Sequence, residues 1–315
     1  MATTSFTKKS LGLETVEPAV TPAAINPQKV MRKPKLNAPP VRKRDIPEGL
    51  WTKCPKCATM LYDPELDEHL KVCSHCGYHF PIGSRERINS LVETCSFEEM
   101  DADMVSVDVL KFTGVTDYVS KLSAYQNSTG LKDAIITGIG KIGPHRTALG
   151  VMDFSFLGGS MGAVVGEKVT RLVETATDKG LPLILISSSG GARMYEGMFS
   201  LMQMAKTSGA LAYLAKKKLP YISVLTHPTT AGVMASYASL GDLILAEPGA
   251  MVGFAGPRVI KDTTQAELPP GFQTSEFLLE HGLIDAIVPR ADMKEYLVNV
   301  LDFFMEGRTQ LAALG

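Results

Sequence analysis

Four cysteines spaced C-x2-C-x15-C-x2-C constrain this chain more than any other feature: Cys54-Pro55-Lys56-Cys57, then Cys73-Ser74-His75-Cys76. Each pair reads as a tight turn that aims two thiolates at one point, and two such turns close a tetrahedron around a zinc ion. Four thiolates leave no open coordination position, so the spacing predicts one structural zinc held by Cys54, Cys57, Cys73 and Cys76. Gly77, directly after the second pair, suits the turn. A thioredoxin-type redox site needs a single pair at a strand-to-helix junction, which two pairs at ribbon spacing do not match. His69, His75 and His79 are read as surface residues, not ligands. Cys95 has no partner and no neighbouring His, and is read as a buried structural cysteine.

Charge excludes the simplest binding roles. The net charge of the 315-residue chain is −1, so no whole-protein field attracts nucleic acid or a membrane surface. The distribution is uneven: residues 1–50 hold 9 Lys and Arg against 4 Asp and Glu, leaving 23 against 29 for the rest. Residues 51–90 carry five of each sign, a weak match for phosphate. A zinc-ribbon nucleic-acid role, with the basic tail as its arm, is therefore a minor alternative. No apolar run approaches the ~18 residues that span a bilayer. The first residues lack the apolar core of a secretory signal, and Glu14, Glu17 and the prolines argue against an organellar transit peptide. The expected location is the cytoplasm.

Three regions follow. Residues 1–45 hold prolines at 18, 22, 27, 34, 39 and 40 without hydrophobic periodicity, and read as a disordered basic tail. Residues 46–83 form the cysteine ribbon. Residues 84–315 form a large α/β domain whose repeating pattern is expected to begin near Asp133. Strands are predicted over 134–140, 147–153, 181–187, 221–226 and 243–246, with short ones at 251–254 and 286–288. Helices are predicted over 164–179, 199–217, 231–239, 275–281 and 292–306, while 88–130 reads as helical in parts with a polar stretch at 120–130. Alternating strands and helices imply a sheet covered by helices. The Met- and Ala-rich helix near 198–212 reads as close core packing or as a subunit interface.

Two glycine-rich turns carry the chemistry. Gly158-Gly159-Ser160-Met161-Gly162 precedes one helix, but Gly166-Glu167-Lys168-Val169 breaks the P-loop pattern and no dinucleotide fingerprint occurs. Ser187-Ser188-Ser189-Gly190-Gly191-Ala192-Arg193 lies between a buried strand and the next helix. Without side chains, Gly190 and Gly191 let a ligand approach their N–H groups, which are placed at a helix start and could form an oxyanion hole. The alternative is a plain tight turn. No Ser–His–Asp arrangement is visible, and His145, His227 and His281 are scattered. Backbone dipoles, without a protein base, are the chemistry that remains.

With these segments assembled, the chain resembles the β subunits of bacterial acetyl-CoA carboxylase carboxyltransferase. The resemblance rests on Ile46–Cys54, the four cysteines, Phe156–Gly162, Ser189–Met194, Ser200–Thr207, Pro220–Thr226, Gly253–Ile260 and Leu268–Gln273, and covers about residue 46 to the C-terminus. It implies a crotonase-like fold of repeated ββα units behind a four-cysteine zinc ribbon. It also implies transfer of a carboxyl group from carboxybiotin, on a carrier protein, to acetyl-CoA, giving malonyl-CoA for fatty-acid synthesis. Gly190 and Gly191 match that family's oxyanion hole, and Gly158, Gly159, Ser160, Met161 and Gly162 lie where its members approach CoA. The implied partners are an α subunit, in an α2β2 assembly, a biotin carboxyl carrier protein and a biotin carboxylase. Arg193 reads equally as a site residue or as an ion-pair residue. The rival reading within the same fold is a biotin-dependent decarboxylase subunit.

Overall fold

A strand that reads Leu-Ile-Leu-Ile is stable only where both of its faces are covered, and such a strand forms the middle of this molecule. The structure, a computed structural model, describes residues 50–265 and 267–314, the side chains of 257, 258 and 307–314 excepted. The tail expected over residues 1–45 lies outside the described residues. In the ribbon, β1 (Trp51–Lys53) and β2 (Met60–Tyr62) pair antiparallel and lead into α1 (Asp63–Glu68). The body begins with α2 (Ser84–Leu91), β3 (Glu98–Met100) and α3 (Tyr118–Thr129). It continues through β4 (Ile135–Ile142), β5 (His145–Met152), α4 (Ala163–Lys179), β6 (Leu183–Ser189) and α5 (Met198–Lys216). β7 (Tyr221–Thr230), α6 (Ala231–Met234), β8 (Leu243–Ala246), β9 (Val252–Gly253) and α7 (Pro257–Thr264) follow. α8 (Ser275–Glu280), β10 (Ala286–Ile287) and α9 (Met293–Leu314) complete the chain.

Among the described residues the body sheet has eight strands in the order β10-β8-β7-β6-β5-β4-β3, with β9 paired to β7. The β3–β4 and β4–β5 pairs are antiparallel, and the rest are parallel. The carboxyl ends of the parallel strands therefore share one edge, where open α/β sheets place their ligands. Val165, Val169, Leu172, Val173 and Ala176 of α4 are all buried, as their helical spacing predicts. Lys168 shares that buried face, and its Nζ donates to Ile135 O at 3.0 Å.

One expectation is sharpened and three are corrected. The polar stretch at 120–130 is the greater part of α3, because Asp117 caps the N-terminus by accepting from Ser120 N–H and only Tyr118 and Leu122 need burial. The sheet starts before Asp133, since the short edge strand β3 pairs with β4. The helix expected over 231–239 stops at Met234, where Ser236 Oγ bonds back to Gly232 O at 2.7 Å, and resumes as a 3-10 turn over Tyr237–Ser239. Cys95 is exposed, not buried; it lies in the turn between α2 and β3, at a left-handed position (φ +58°).

His79 is also corrected, from surface to buried. Its Nδ1–H donates to Gly77 O at 3.0 Å and its Nε2 accepts the Arg290 N–H at 3.1 Å, which fixes a neutral tautomer. The Arg290 side chain donates to Leu70 O (2.7 Å) and Phe80 O (3.0 Å), and both its Nε and Nη2 bond Glu247 at 2.8 Å. Arg87 Nη1 reaches the same carboxylate at 2.7 Å. Burial alone would raise the Glu247 pKa, but the two guanidinium groups hold it at about 2. This buried triad clips the ribbon to the sheet.

Candidate functional site

The metal centre is built from two repeated knuckles. Cys54 N–H donates to Thr59 O (2.9 Å), and Cys54 O accepts from Ala58 N–H (2.9 Å). Cys73 N–H donates to Tyr78 O (2.8 Å), and Cys73 O accepts from Gly77 N–H (2.9 Å). The residue after each second cysteine is left-handed: Ala58 at φ +61° and Gly77 at φ +68°. The four sulfur atoms lie within 4.8 Å of one another, with Cys54–Cys76 at 3.6 Å and Cys57–Cys73 at 3.8 Å. A tetrahedron with Zn–S of ~2.3 Å requires sulfur separations of roughly 3.8 Å. The donor set fits zinc. His69 and His75 are exposed outside it.

The two glycine turns meet at the carboxyl edge of the sheet. Met161 N–H donates to Gly191 O (2.8 Å), and Arg193 N–H donates to Met161 O (2.9 Å), making a parallel bridge between Met161 and Ala192. Gly190 N–H donates to Gly158 O at 2.8 Å. Ser189 Oγ donates to Gly159 O (2.5 Å) and accepts from Gly191 N–H (3.0 Å). Glycine is demanded at two of these positions. A Cβ on Gly159 would collide with Ser188 O, and one on Gly191, at φ +114°, would lie 2.5 Å from Ala231 Cβ.

This seam differs from the sequence expectation in two ways. Gly190 and Gly191 do not sit at a helix start, since a 3-10 turn (Met194–Glu196) and Gly197 separate them from α5. Their N–H groups already have acceptors, Gly158 O and Ser189 Oγ. The helix start at the seam belongs to α4, and Glu196 occupies it: Oε2 accepts from Ala163 N–H at 2.5 Å. Gly162 is the N-cap there, and a Cβ on it would strike the Glu196 carboxylate.

Arg193 lies beneath the seam with 1% of its surface exposed. Nη2 donates to Asp133 Oδ1 (2.6 Å) and Ser160 O (2.8 Å). Nε donates to Ser160 Oγ (3.1 Å), while Nη1 reaches Ser106 Oγ (3.0 Å), Tyr118 OH (3.1 Å) and Glu196 Oε1 (3.3 Å). Burial works against the charge, but Asp133 more than offsets it and the pKa lies above the usual arginine value. Of the two sequence readings, the ion pair is the one this structure holds. Tyr118 OH donates to Glu196 Oε1 (2.5 Å), and burial raises the Tyr118 pKa.

Beside the seam lies a cavity of about 240 Å3 between the ribbon connector Phe80–Gly83 and the ends of β5, β6 and β7. Arg87, Asp153, Ser188 and His227 line it. Ser188 belongs to the second glycine turn, but its place beside Arg87, Asp153 and the scattered His227 is not visible in the sequence, because the segments that join here lie far apart along the chain. His227 reaches the cavity through a bulge: Ser187 pairs with Leu225 and Ser189 with Thr229, leaving Thr226–Pro228 opposite Ser188 alone. Its Nδ1 accepts the Met251 N–H at 3.2 Å, so Nε2 carries the proton of the neutral ring, and burial lowers its pKa. Asp153 is satisfied locally by Ser84 N–H (2.7 Å) and Oγ (2.8 Å) and by Ser155 N–H (3.0 Å) and Oγ (2.5 Å).

Comparison with known proteins matches both the region of the ribbon and the region of the body. The family described as carboxyl transferase domain matches residues 84–269, and the acetyl-CoA carboxylase zinc finger domain matches residues 51–76. A chain of Methylacidiphilum infernorum named acetyl-coenzyme A carboxylase carboxyl transferase subunit beta is 56% identical over 275 residues, covering 87% of this chain and 99% of that one. A protein of Natranaerobius thermophilus named as subunits beta/alpha of the same enzyme is 51% identical over 259 residues, covering 82% of this chain and 42% of that one. Among solved structures, transcarboxylase 12S with methylmalonyl-coenzyme A and methylmalonic acid bound superposes with a TM-score of 0.60 at 27% identity, covering 71% of this chain and 41% of that one. With the four-cysteine ribbon, the glycine seam and these relatives together, the chain belongs to the family of acetyl-coenzyme A carboxylase carboxyl transferase beta subunits.

Proposed function

We propose that this chain supplies one half of a site that moves a carboxyl group from carboxybiotin to acetyl-CoA, producing malonyl-CoA for fatty-acid synthesis in the cytoplasm. The observation that carries this reading is the glycine seam at the carboxyl edge of the sheet, with an open cavity beside it. Carboxybiotin, borne on a carrier protein, supplies the carboxyl group, and its ureido nitrogen takes up the acetyl Cα proton. The seam needs no acid–base pair of its own. Its task is to hold the thioester and to stabilise charge on the thioester oxygen.

Gly190 and Gly191 are the donors for that oxygen. Gly191 is the readier of the two, because its acceptor, Ser189 Oγ, is a hydroxyl that can rotate away, whereas Gly190 must leave a backbone carbonyl. The segment Gly158–Gly162 shapes the approach of CoA rather than donating to it. Gly159, Ser160 and Met161 N–H groups bond Phe156 O (2.9 Å), Leu157 O (3.3 Å) and Gly191 O (2.8 Å). The zinc ion, held by Cys54, Cys57, Cys73 and Cys76, keeps the ribbon folded and takes no part in the chemistry. On this reading residues 46–83 are the ribbon and 84–315 the carboxyltransferase body.

The second half of the site comes from an α-type subunit in an α2β2 assembly, served by a biotin carboxyl carrier protein and a biotin carboxylase. Two observations support the α-type partner. The Natranaerobius relative is named beta/alpha and is more than twice the length this chain covers. The outward face of α5 is apolar and open: Met198, Leu201, Met202, Ala205, Gly209 and Tyr213 are exposed at helical spacing, with Met194 at its head. The test is malonyl-CoA formation from acetyl-CoA and carboxybiotin by this chain alone and with the α-type subunit. Product is expected only from the mixture. A folded, zinc-loaded mixture that forms none overturns the reading.

A further inference from the structure

We propose that Arg193 is a positioning residue for carboxyl transfer: its buried guanidinium, and not the bridge between the two glycine turns, sets their spacing. The inference rests on the proposed reaction at that seam. The bridge itself is slight. It consists of the Met161–Gly191 and Arg193–Met161 backbone bonds, with the Gly190 and Ser189 contacts beside them. Gly158, Gly159 and Gly191 all have positive φ, so the backbone on both sides has the softness of glycine. Something rigid must fix the distance between the turns.

The guanidinium has the right geometry. It grips Ser160 twice, through Nε to Oγ and through Nη2 to the carbonyl, so it fixes the orientation of the first turn as well as its distance. Its own backbone lies in the second turn and donates to Met161 O. Its far side is anchored on Asp133, 60 residues away at the head of β4, and on Tyr118 at the start of α3. One planar group therefore references both turns to the sheet and to α3. A lysine ammonium keeps the charge for Asp133 but cannot grip Ser160 and Asp133 at fixed angles.

The test compares wild type with Arg193→Lys in the complete α–β complex. A displacement of about 1 Å at a reacting centre costs on the order of 100-fold in rate, so Arg193→Lys is expected to lower kcat about that much. KM for acetyl-CoA is expected to stay within about threefold, because uniform binding is not what is lost. Amide hydrogen exchange at Met161 and Arg193 is expected to quicken while that of α4 and β6 does not. A merely structural arginine gives the opposite pattern: a lower melting temperature and fewer folded molecules, with kcat per folded molecule unchanged. That pattern, or a kcat within threefold of wild type, overturns the proposal. If Arg193→Lys does not fold, Ser160→Ala, which removes only the 3.1 Å acceptor, carries the same test with an expected loss of roughly tenfold in kcat. A wild-type complex that makes no malonyl-CoA overturns the carboxyl-transfer reading; the exchange comparison then decides the Arg193 assignment alone, since it needs no turnover.

Discussion

The zinc ribbon and the glycine seam are ordered by opposite means. In the ribbon, each pair of ligands is three residues apart, and each knuckle closes with bonds to residues four and five positions on. In the seam, the bonds that matter join Arg193 to Asp133 and to Ser160 across 60 and 33 residues. The ribbon is a local object held by coordination geometry. The seam is a place where three distant segments meet, held by one buried guanidinium and by glycines that let backbones touch. The lesson is that metal spacing survives in the sequence as a readable pattern, whereas a site assembled from backbone amides leaves only glycines behind.

That contrast can be broken in four places. The largest effect belongs to the metal. Cys54→Ala, or removal of zinc by a chelator, is expected to abolish zinc binding and unfold residues 51–80, with an apparent loss on the order of 10 kcal/mol in metal binding. Atomic absorption together with hydrogen exchange checks it, and a full zinc equivalent retained by the variant would refute the four-ligand set. The next largest belongs to the seam. Gly191→Pro removes an N–H and forbids φ +114°, so turnover is expected to fall by at least about 10³-fold. Zinc content should remain at one per chain. A variant that lost zinc as well would tie the two regions more closely than their structures suggest.

The third prediction tests the clip between them. Arg290→Met leaves Glu247 buried against Arg87 alone, with an expected destabilisation of roughly 3–5 kcal/mol and early release of the ribbon in proteolysis. Acid should act at the same point. The folded Glu247 pKa of about 2 lies below its unfolded value, so its stabilisation is fully present above that unfolded value and is lost as pH falls towards 2. The full linkage is on the order of 3 kcal/mol, of which roughly 2 kcal/mol is lost between pH 6 and pH 3, and urea titrations across that range measure it. Stability that does not fall with pH in wild type, or falls equally in Glu247→Gln, removes this account. The smallest effect is Ala58→Gly. It relieves a left-handed alanine where the second knuckle already has Gly77, and should stabilise the ribbon by about 0.5 kcal/mol in thermal unfolding.

Much of the body was legible because its strands are apolar runs that only burial explains. The strands expected at 134–140, 147–153, 181–187 and 243–246 lie within two residues of β4, β5, β6 and β8 at every end. Elements carrying little hydrophobic signal were not legible. β3 is Glu-Glu-Met, and α3 is mostly polar with a capping aspartate as its clearest mark. His79 and Cys95 exchanged places relative to expectation. A histidine is buried when both nitrogens find partners, here Gly77 O and the Arg290 N–H, and nothing near His79 in the chain announces Arg290. Cys95 is exposed in the turn that joins α2 to β3, and nothing in its local sequence places that turn at the surface.

The sequence by itself determined the metal, its four ligands and the glycine turns, because coordination spacing and the absence of a side chain are properties of residues and of their near neighbours. Only the tertiary structure decided what those turns do to each other. It paired the Gly190 and Gly191 amides with Gly158 O and Ser189 Oγ, placed Glu196 on the start of α4, and brought Arg87, Asp153, Ser188 and His227 to one cavity. Hydrogen-bond partners far apart along the chain are chosen by how a sheet stacks its strands, and that choice is made by the packing of the whole chain.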